Sequence, residues 1–272
     1  MITTGCSDAL WEGNAISQGS SIRIRYKVDK DYCNVGEDSM SLCFAVFYPF
    51  AAYIATDSRS SRGVGKINVF SNDYTKFIPD DDKYKKIFRL PFENKSIYGF
   101  STGTNRFVRN SMDVTDIIKR CSTESASNLM DQVSHLSNSF YQKKHGVSFT
   151  LIEYDKDSRC FKYAYSTAKD NSIDIEQFFV NSDKIQFVAS GSDWAKLILK
   201  YVDFPDILHS DGIYSVEEKE AMENNIVNAI SDVFEKASKI SCILDNSVGG
   251  EYHVLKLLPN GEHRWLYNGY DL

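Results

Sequence analysis

The sequence predicts an α+β domain built as a four-layer α-β-β-α sandwich. Three observations lead there. Segments with strand and helix patterns follow one another as strands, two helices, strands, two helices, strands. Aromatic residues make up 13% of the 272 residues, with 16 Tyr and 17 Phe, and such side chains pack well on pleated surfaces. Each sheet needs a cover for its second face, and two stacked sheets with helix pairs outside cover both.

Residues 1–20, rich in Gly, Ser and polar groups, read as a loose arm. "SIRIRYKV" (Ser21–Val28) alternates apolar and charged residues, the pattern of a half-exposed strand. After the polar break "DKDYCNVGEDS" comes an apolar stretch from Leu42 to Ala55, interrupted by Pro49. It predicts two antiparallel strands joined at "YPFAA". Ser60 to Lys83 reads as a charged loop, and "KIFRL" and "IYGF" as two more strands, so that a first sheet of four or more strands forms early.

Two helices follow. "MDVTDIIKRC" predicts a short one. Over Ala126–Lys144, residues Leu129, Met130, Val133, Leu136 and Phe140 recur at helical steps as one buried stripe, and Gly146 is placed to stop the helix. "VSFTLIEYDKDSRCFKYAYS" predicts a hairpin, and "KIQFVASGS" a strand entering a Gly-Ser turn. "DWAKLILKYV" predicts a helix with Ser192 or Asp193 as N-cap. Ser215 and Glu218 form a capping box, opening a helix of about five turns with the stripe Met222, Ile226, Ala229, Ile230, Val233 and Ala237. The closing strands are "ISCIL", "YHVLKLL" and "HRWLYNG", the last two joined by a "PNGE" turn. The implied division is an N-terminal extension over residues 1–40, a propeptide-like arm, and one domain over residues 41–272.

Composition narrows the function. The net charge is −6 with no run of five or six like charges, which argues against a nucleic-acid or anionic-membrane partner. No stretch of 18 apolar residues spans a membrane, and the start lacks the basic and apolar regions of a secretory signal. The expected location is cytoplasmic. Six scattered cysteines without C-x-x-C read as free thiols of a reducing compartment, and five isolated histidines show no metal spacing. No cofactor and no metal are expected. The basic stretch "IRIRYKVDK" reads as a solvated strand face, with an acidic-partner or phosphate contact as the alternative.

Four motifs in order, "IATDSRS", "KKIFRL", "GFSTGT" and "FVASGSDWA", resemble those of the proteasome β-subunit group of N-terminal-nucleophile (Ntn) hydrolases, over roughly residues 41–272. The resemblance implies that family's four-layer fold. It also implies a nucleophile at the first residue of the mature chain, sixteen residues before the Asp of the Asp-Ser-Arg motif; counting back from Asp57 lands on Ser41. By the same resemblance Asp57 and Arg59 support the site, and Lys86 tunes the nucleophile's proton affinity. Gly103 offers an oxyanion N–H, and Ser190 is the helper serine. Asp245 and Ser247 of "DNSVGG" fall where the family carries an Asp and a Ser, here two apart rather than three.

Such a set has a definite chemistry. A hydroxyl is a poor nucleophile at neutral pH, and the free α-amine of a chain-terminal Ser can take its proton. A nearby ammonium lowers that amine's pKa and steadies developing negative charge. A backbone N–H aimed at the oxyanion contributes roughly 3–4 kcal/mol. The implied function is hydrolysis of a peptide or small amide after cleavage between Met40 and Ser41. The family's self-cleaving precursors carry Gly where this chain has Met40. A catalytically inactive structural or scaffold subunit that keeps its arm is the alternative. Either implies a homo- or hetero-oligomer, with ring assembly natural for the family.

Read without the resemblance, the same residues have plainer roles. Ser41 is then a strand-edge serine, Asp57 and Arg59 a local ion pair, Lys86 of "KYKK" a solvated lysine, and "DNSVGG" a turn. Cys43 is either a substitute nucleophile or a buried core thiol.

Overall fold

The computed structural model describes residues 22–27, 41–69, 72–91, 96–103, 106–107, 112–113, 118, 128–141, 147–169, 172–180, 184–206 and 215–272. The protein is a mixed α/β fold with antiparallel sheets. Its strands in chain order are β1 (Ile22–Lys27), β2 (Leu42–Tyr48), β3 (Ala51–Asp57), β4 (Ser60–Val69), β5 (Asn72–Asp81), β6 (Ile87–Pro91), β7 (Ser96–Gly103), β8 (Arg106–Phe107), β9 (Met112–Asp113), β10 (Val147–Asp155), β11 (Cys160–Lys169), β12 (Ser172–Phe179), β13 (Gln186–Gly191), β14 (Tyr252–Leu257) and β15 (His263–Tyr267). The helices are α1 (Leu129–Tyr141), α2 (Asp193–Ile198), tightened by a 3₁₀ turn at Leu199–Tyr201, and α3 (Val216–Leu244).

One sheet has the order β1-β12-β11-β10-β7-β6 and the other β13-β2-β3-β14-β15. The strands β2 and β3 alternate at every residue between two apolar layers, which is why both read as unbroken apolar runs. Leu42, Phe44, Val46, Tyr53 and Ala55 face α2 and α3, where they meet Met222, Ile226, Ile230, Val233 and Phe234. Cys43, Ala45, Phe47, Ala52 and Ile54 face the other sheet and meet Ile87, Phe100, Ile152 and Phe161. A third cluster joins Leu129, Val133 and Leu136 of α1 to Phe149, Leu151 and Ile175. Burying one large apolar side chain is worth roughly 1.5–3 kcal/mol, so these layers dominate the stability.

Most elements fall where the patterns put them. The β2–β3 hairpin turns at Pro49–Phe50, β10–β11 is the expected hairpin, and Asn128 accepts the Asp131 N–H at the start of α1. Ser215 accepts the Glu218 N–H while Glu218 accepts from Ser215, closing the capping box of α3.

Four expectations are corrected. The early strands do not share one sheet: β2 and β3 belong to the five-stranded sheet, β6 and β7 to the six-stranded one. The charged segment after Ser60 is not a loop but the β4–β5 hairpin, whose polar residues hid its pairing. "ISCIL" is no strand; it is the last turn of α3, where buried Ser241 continues the Met222–Ala237 stripe while Ile243 faces outward. Helix α3 runs 29 residues, well beyond the expected length. Of the helix read at "MDVTDIIKRC", Met112 and Asp113 lie in β9, Ile118 is helical, and the rest lies outside the described residues, as does Gly146. The arm at residues 1–20 lies outside them too.

Candidate active site

The end of the β2–β3 hairpin opposite its turn brings Ser41 and Asp57 side by side. The register pairs Tyr48 with Ala51 and Cys43 with Thr56, so the residue before β2 and the last residue of β3 share one edge. Lys86, immediately before β6, reaches this edge from the other sheet. Its Nζ donates to Ser41 Oγ at 2.8 Å and to Asp57 Oδ1 at 2.7 Å. Ser41 and Lys86 are wholly buried and Asp57 nearly so. The solvated reading of Lys86 is therefore excluded: the side chain is wholly buried and paired with Asp57.

Asp57 is held by more than Lys86. Its Oδ1 also accepts the Leu42 N–H at 2.9 Å, and its Oδ2 the Gly249 N–H at 3.4 Å. Burial acts most strongly on this carboxyl and raises its pKa, against the opposing pull of the Lys86 ammonium and the two backbone donors. With its Nζ at hydrogen-bond distance from both, Lys86 links Asp57 to Ser41 Oγ and can polarise the hydroxyl.

The carbonyl of Ser41 is pinned by the start of α2. Ser192 N–H donates to it at 2.9 Å, and Gly191, with φ +124°, lies so close that no side chain fits between. Ser190 faces the opposite way and hydrogen-bonds the Thr102 hydroxyl, tying β13 to β7 across the layer between the sheets. Gly103, the next residue, ends β7 with φ +100°. Ser192 is the N-cap residue of α2 but makes no side-chain cap; its Oγ lies 3.4 Å from Ser247 Oγ.

Asp245 and Ser247 form their own cluster at the C-terminal end of α3. Asp245 Oδ1 accepts from the Ser247 hydroxyl at 2.7 Å and from its N–H at 2.9 Å, and Oδ2 accepts from Trp194 Nε1 at 2.9 Å. Through Ser192 this cluster stands one residue removed from Ser41. Arg59 does not join the trio or pair with Asp57. Its guanidinium binds Asp82 at 2.8 Å and Asn246 at 2.6 Å, lying across Gly249, so it braces the loop that carries the Gly249 donor.

The structure thus joins Ser41, Lys86 and Asp57 in direct contact. Ser190 sits opposite Cys43 and binds Thr102, the neighbour of Gly103, without touching the trio; Asp245 and Ser247 connect through Ser192, and Arg59 holds a neighbouring loop. The sequence did not single out Thr102, Gly191 or the Gly249 donor, since each acts through strand register or backbone. Cys43, wholly buried, donates weakly to the Ser101 carbonyl, and burial pushes its thiol pKa well up. It is a core thiol rather than a thiolate nucleophile. A cavity of about 430 Å³ between α3 and residues 248–252 is lined by Asp57, Phe234, Gly249 and Tyr252 but not by Ser41. Among the described residues no His/Cys/Asp/Glu group could hold a metal, and no helix is long and apolar enough to cross a membrane.

No protein-family model matches the sequence, and no curated protein matches it. Among solved structures, the chain is similar to the Anbu complex from Pseudomonas aeruginosa, solved as a helical assembly. Identity is 14%, coverage is 83% of this chain and 86% of that one, and the TM-score is 0.50. It is also similar to Anbu, described as an ancestral β-subunit, from Yersinia bercovieri (12% identity, 83% and 86% coverage, TM-score 0.48). A third similar structure is the eukaryotic HslV from Trypanosoma brucei (12% identity, 80% and 99% coverage, TM-score 0.43). The fold is proteasome-like.

Proposed function

We propose that this protein is an Ntn-type amide or peptide hydrolase whose nucleophile is Ser41, exposed when water adds across the Met40–Ser41 peptide bond. The observation that carries this reading is the buried contact of Lys86 Nζ with both Ser41 Oγ and Asp57 Oδ1. Cleavage supplies the missing base. The peptide nitrogen of Ser41 cannot accept a proton, whereas a free α-amine, with a pKa near neutrality, can. The roles then divide. The amine takes the hydroxyl proton, Lys86 steadies the developing negative charge, Asp57 orients Lys86, and the Gly103 N–H serves the oxyanion. Ser190, Asp245, Ser247 and Arg59 hold the surrounding backbone.

The four-layer order of the fold is part of the same proposal, supported by the three apolar clusters. So is self-assembly, since a similar chain, the Anbu of Pseudomonas aeruginosa, occurs in a helical assembly. Exposed Leu197, Tyr201, Ile243 and Leu244 on α2, its 3₁₀ turn and α3 offer apolar contact area for it. A peptide or small amide in a cytoplasmic setting, without cofactor, is the substrate class this chemistry fits.

One observation favours a second reading. Ser41 is wholly buried, and the cavity beside the site reaches Asp57 but not Ser41. A subunit that keeps residues 1–40 joined would hold its serine shut away and act as a scaffold. Intact-mass measurement of the protein made in cells, beside Ser41→Ala, separates the two. A species beginning at Ser41 that the variant lacks supports the hydrolase; a full-length mass in both rejects it.

A further inference from the structure

Strand β1 comes from the segment that a cut at Met40–Ser41 would sever, yet it forms one edge of the six-stranded sheet. Six consecutive residues pair antiparallel with β12, from Ile22 opposite Gln177 to Lys27 opposite Ser172. On its other side β12 pairs with β11 along its whole length. Without β1, the edge of β12 would present a row of unpaired N–H and C=O groups.

The register is specific in charge. It sets Arg23 opposite Glu176 and Arg25 opposite Asp174, unlike charges at directly opposed positions, where cross-strand pairs stabilise. A slip of one residue would set Arg23 and Arg25 against uncharged neighbours, so the charge pattern selects against the odd registers that would also turn each side chain to the other face. The basic alternation of "IRIRYK" thus has its acidic counterpart in "SIDIEQFF" of the same chain.

We infer that the β12 edge is a peptide-binding site whose occupant is this chain's own residues 22–27, and that it keeps them as a bound strand after the backbone between them and Ser41 is cut. The mature protein is then two chains, the N-terminal one held by strand addition and charge register. Its occurrence in the mature protein rests on the cleavage proposed above; the binding itself does not. Before a cut the tether gives the arm a high local concentration, and after it the β1–β12 contact alone must hold.

The test replaces Asp31–Gly36 with a site-specific protease sequence in a Ser41→Ala background, cuts the purified protein, and runs size exclusion at low micromolar concentration. Co-elution of the N-terminal fragment with the body is the expected result; its separate elution overturns the inference. R23E with R25E should shed the fragment after the cut, and adding D174K and E176K should restore it, with circular dichroism of the uncut proteins confirming their fold. Equal retention by the charge-reversed arm would overturn the register argument. Because the cut is imposed, a protein that never cleaves itself would sink the hydrolase reading while leaving this result to stand or fall separately.

Discussion

A Cβ placed on Gly191 would fall 1.9 Å from the carbonyl oxygen of Ser41. The two backbones touch because β13 pairs with β2 up to this point, with Gly191 opposite Leu42, and because φ at Gly191 is +124°. The candidate nucleophile is therefore positioned by backbone contact as well as by Lys86. Gly191→Ala must displace one strand end and adopt a strained φ, and we expect a loss of about 2 kcal/mol or more. Chemical denaturation measures it; a change below roughly 0.5 kcal/mol would mean that Ser41 is not held this way.

The Asp57–Lys86 pair predicts a strongly non-additive double-mutant cycle. Removing either partner alone, as in Lys86→Met or Asp57→Leu, leaves a buried charge uncompensated and should cost about 3–5 kcal/mol. Removing both should cost less than the sum by about 1–3 kcal/mol. Additive single and double losses in urea melts would contradict the coupling.

His253 predicts an acid-side loss of stability. Its Nδ1–H donates to the Asn268 carbonyl, while Nε2 has no partner and the ring packs against Tyr270. Burial lowers its pKa below the ordinary 6.5, with Glu251 and Asp57 pulling upward and Lys86 downward. The unfolded chain then binds the proton more readily than the folded one. Stability should rise with pH across this window and be lost as pH falls below about 6.5. His263, also lowered by burial, adds to the slope. His253→Gln should flatten the pH dependence of the denaturation midpoint between pH 7 and about 5; an unchanged slope would remove His253 from the account.

The burial of Cys43 predicts that it resists alkylation. Peptide mapping after brief treatment of the native protein with iodoacetamide should find exposed Cys242 modified and Cys43 untouched. Modification of Cys43 at a rate comparable to Cys242 would reinstate it as a candidate nucleophile.

How far this architecture can be read from sequence differs by element. The β2–β3 hairpin follows from its unbroken apolar runs, because both faces are buried, and the α3 stripe from the helical spacing of its buried residues. The β4–β5 hairpin and β12 escape such a reading: a two-stranded ribbon needs no apolar face, and "SIDIEQFF" mixes charge with apolar residues as a loop can. "ISCIL" misleads for the opposite reason, since a short apolar run does not distinguish a strand from a helix end. Within the site, Ser41 and Asp57 are reached through motif spacing. Lys86 sits among "KYKK", where only tertiary packing tells the buried lysine from its solvated neighbours. Contacts made by backbone, such as Ser192 N–H to Ser41 and Gly249 N–H to Asp57, leave no mark on residue type.

The β2–β3 hairpin also changes what the sixteen-residue interval between Ser41 and Asp57 means. Antiparallel pairing from Tyr48–Ala51 to Cys43–Thr56 works as a ruler folded at Pro49–Phe50. The interval counts two strand lengths and a turn, none of which enters the chemistry. Lengthening the turn while keeping the pairing would alter the count and leave serine, lysine and carboxylate where they are. Slipping the pairing by one residue would preserve the count and turn Asp57 away from Lys86. What the interval records is strand alignment, and a chain with another spacing could build the same corner.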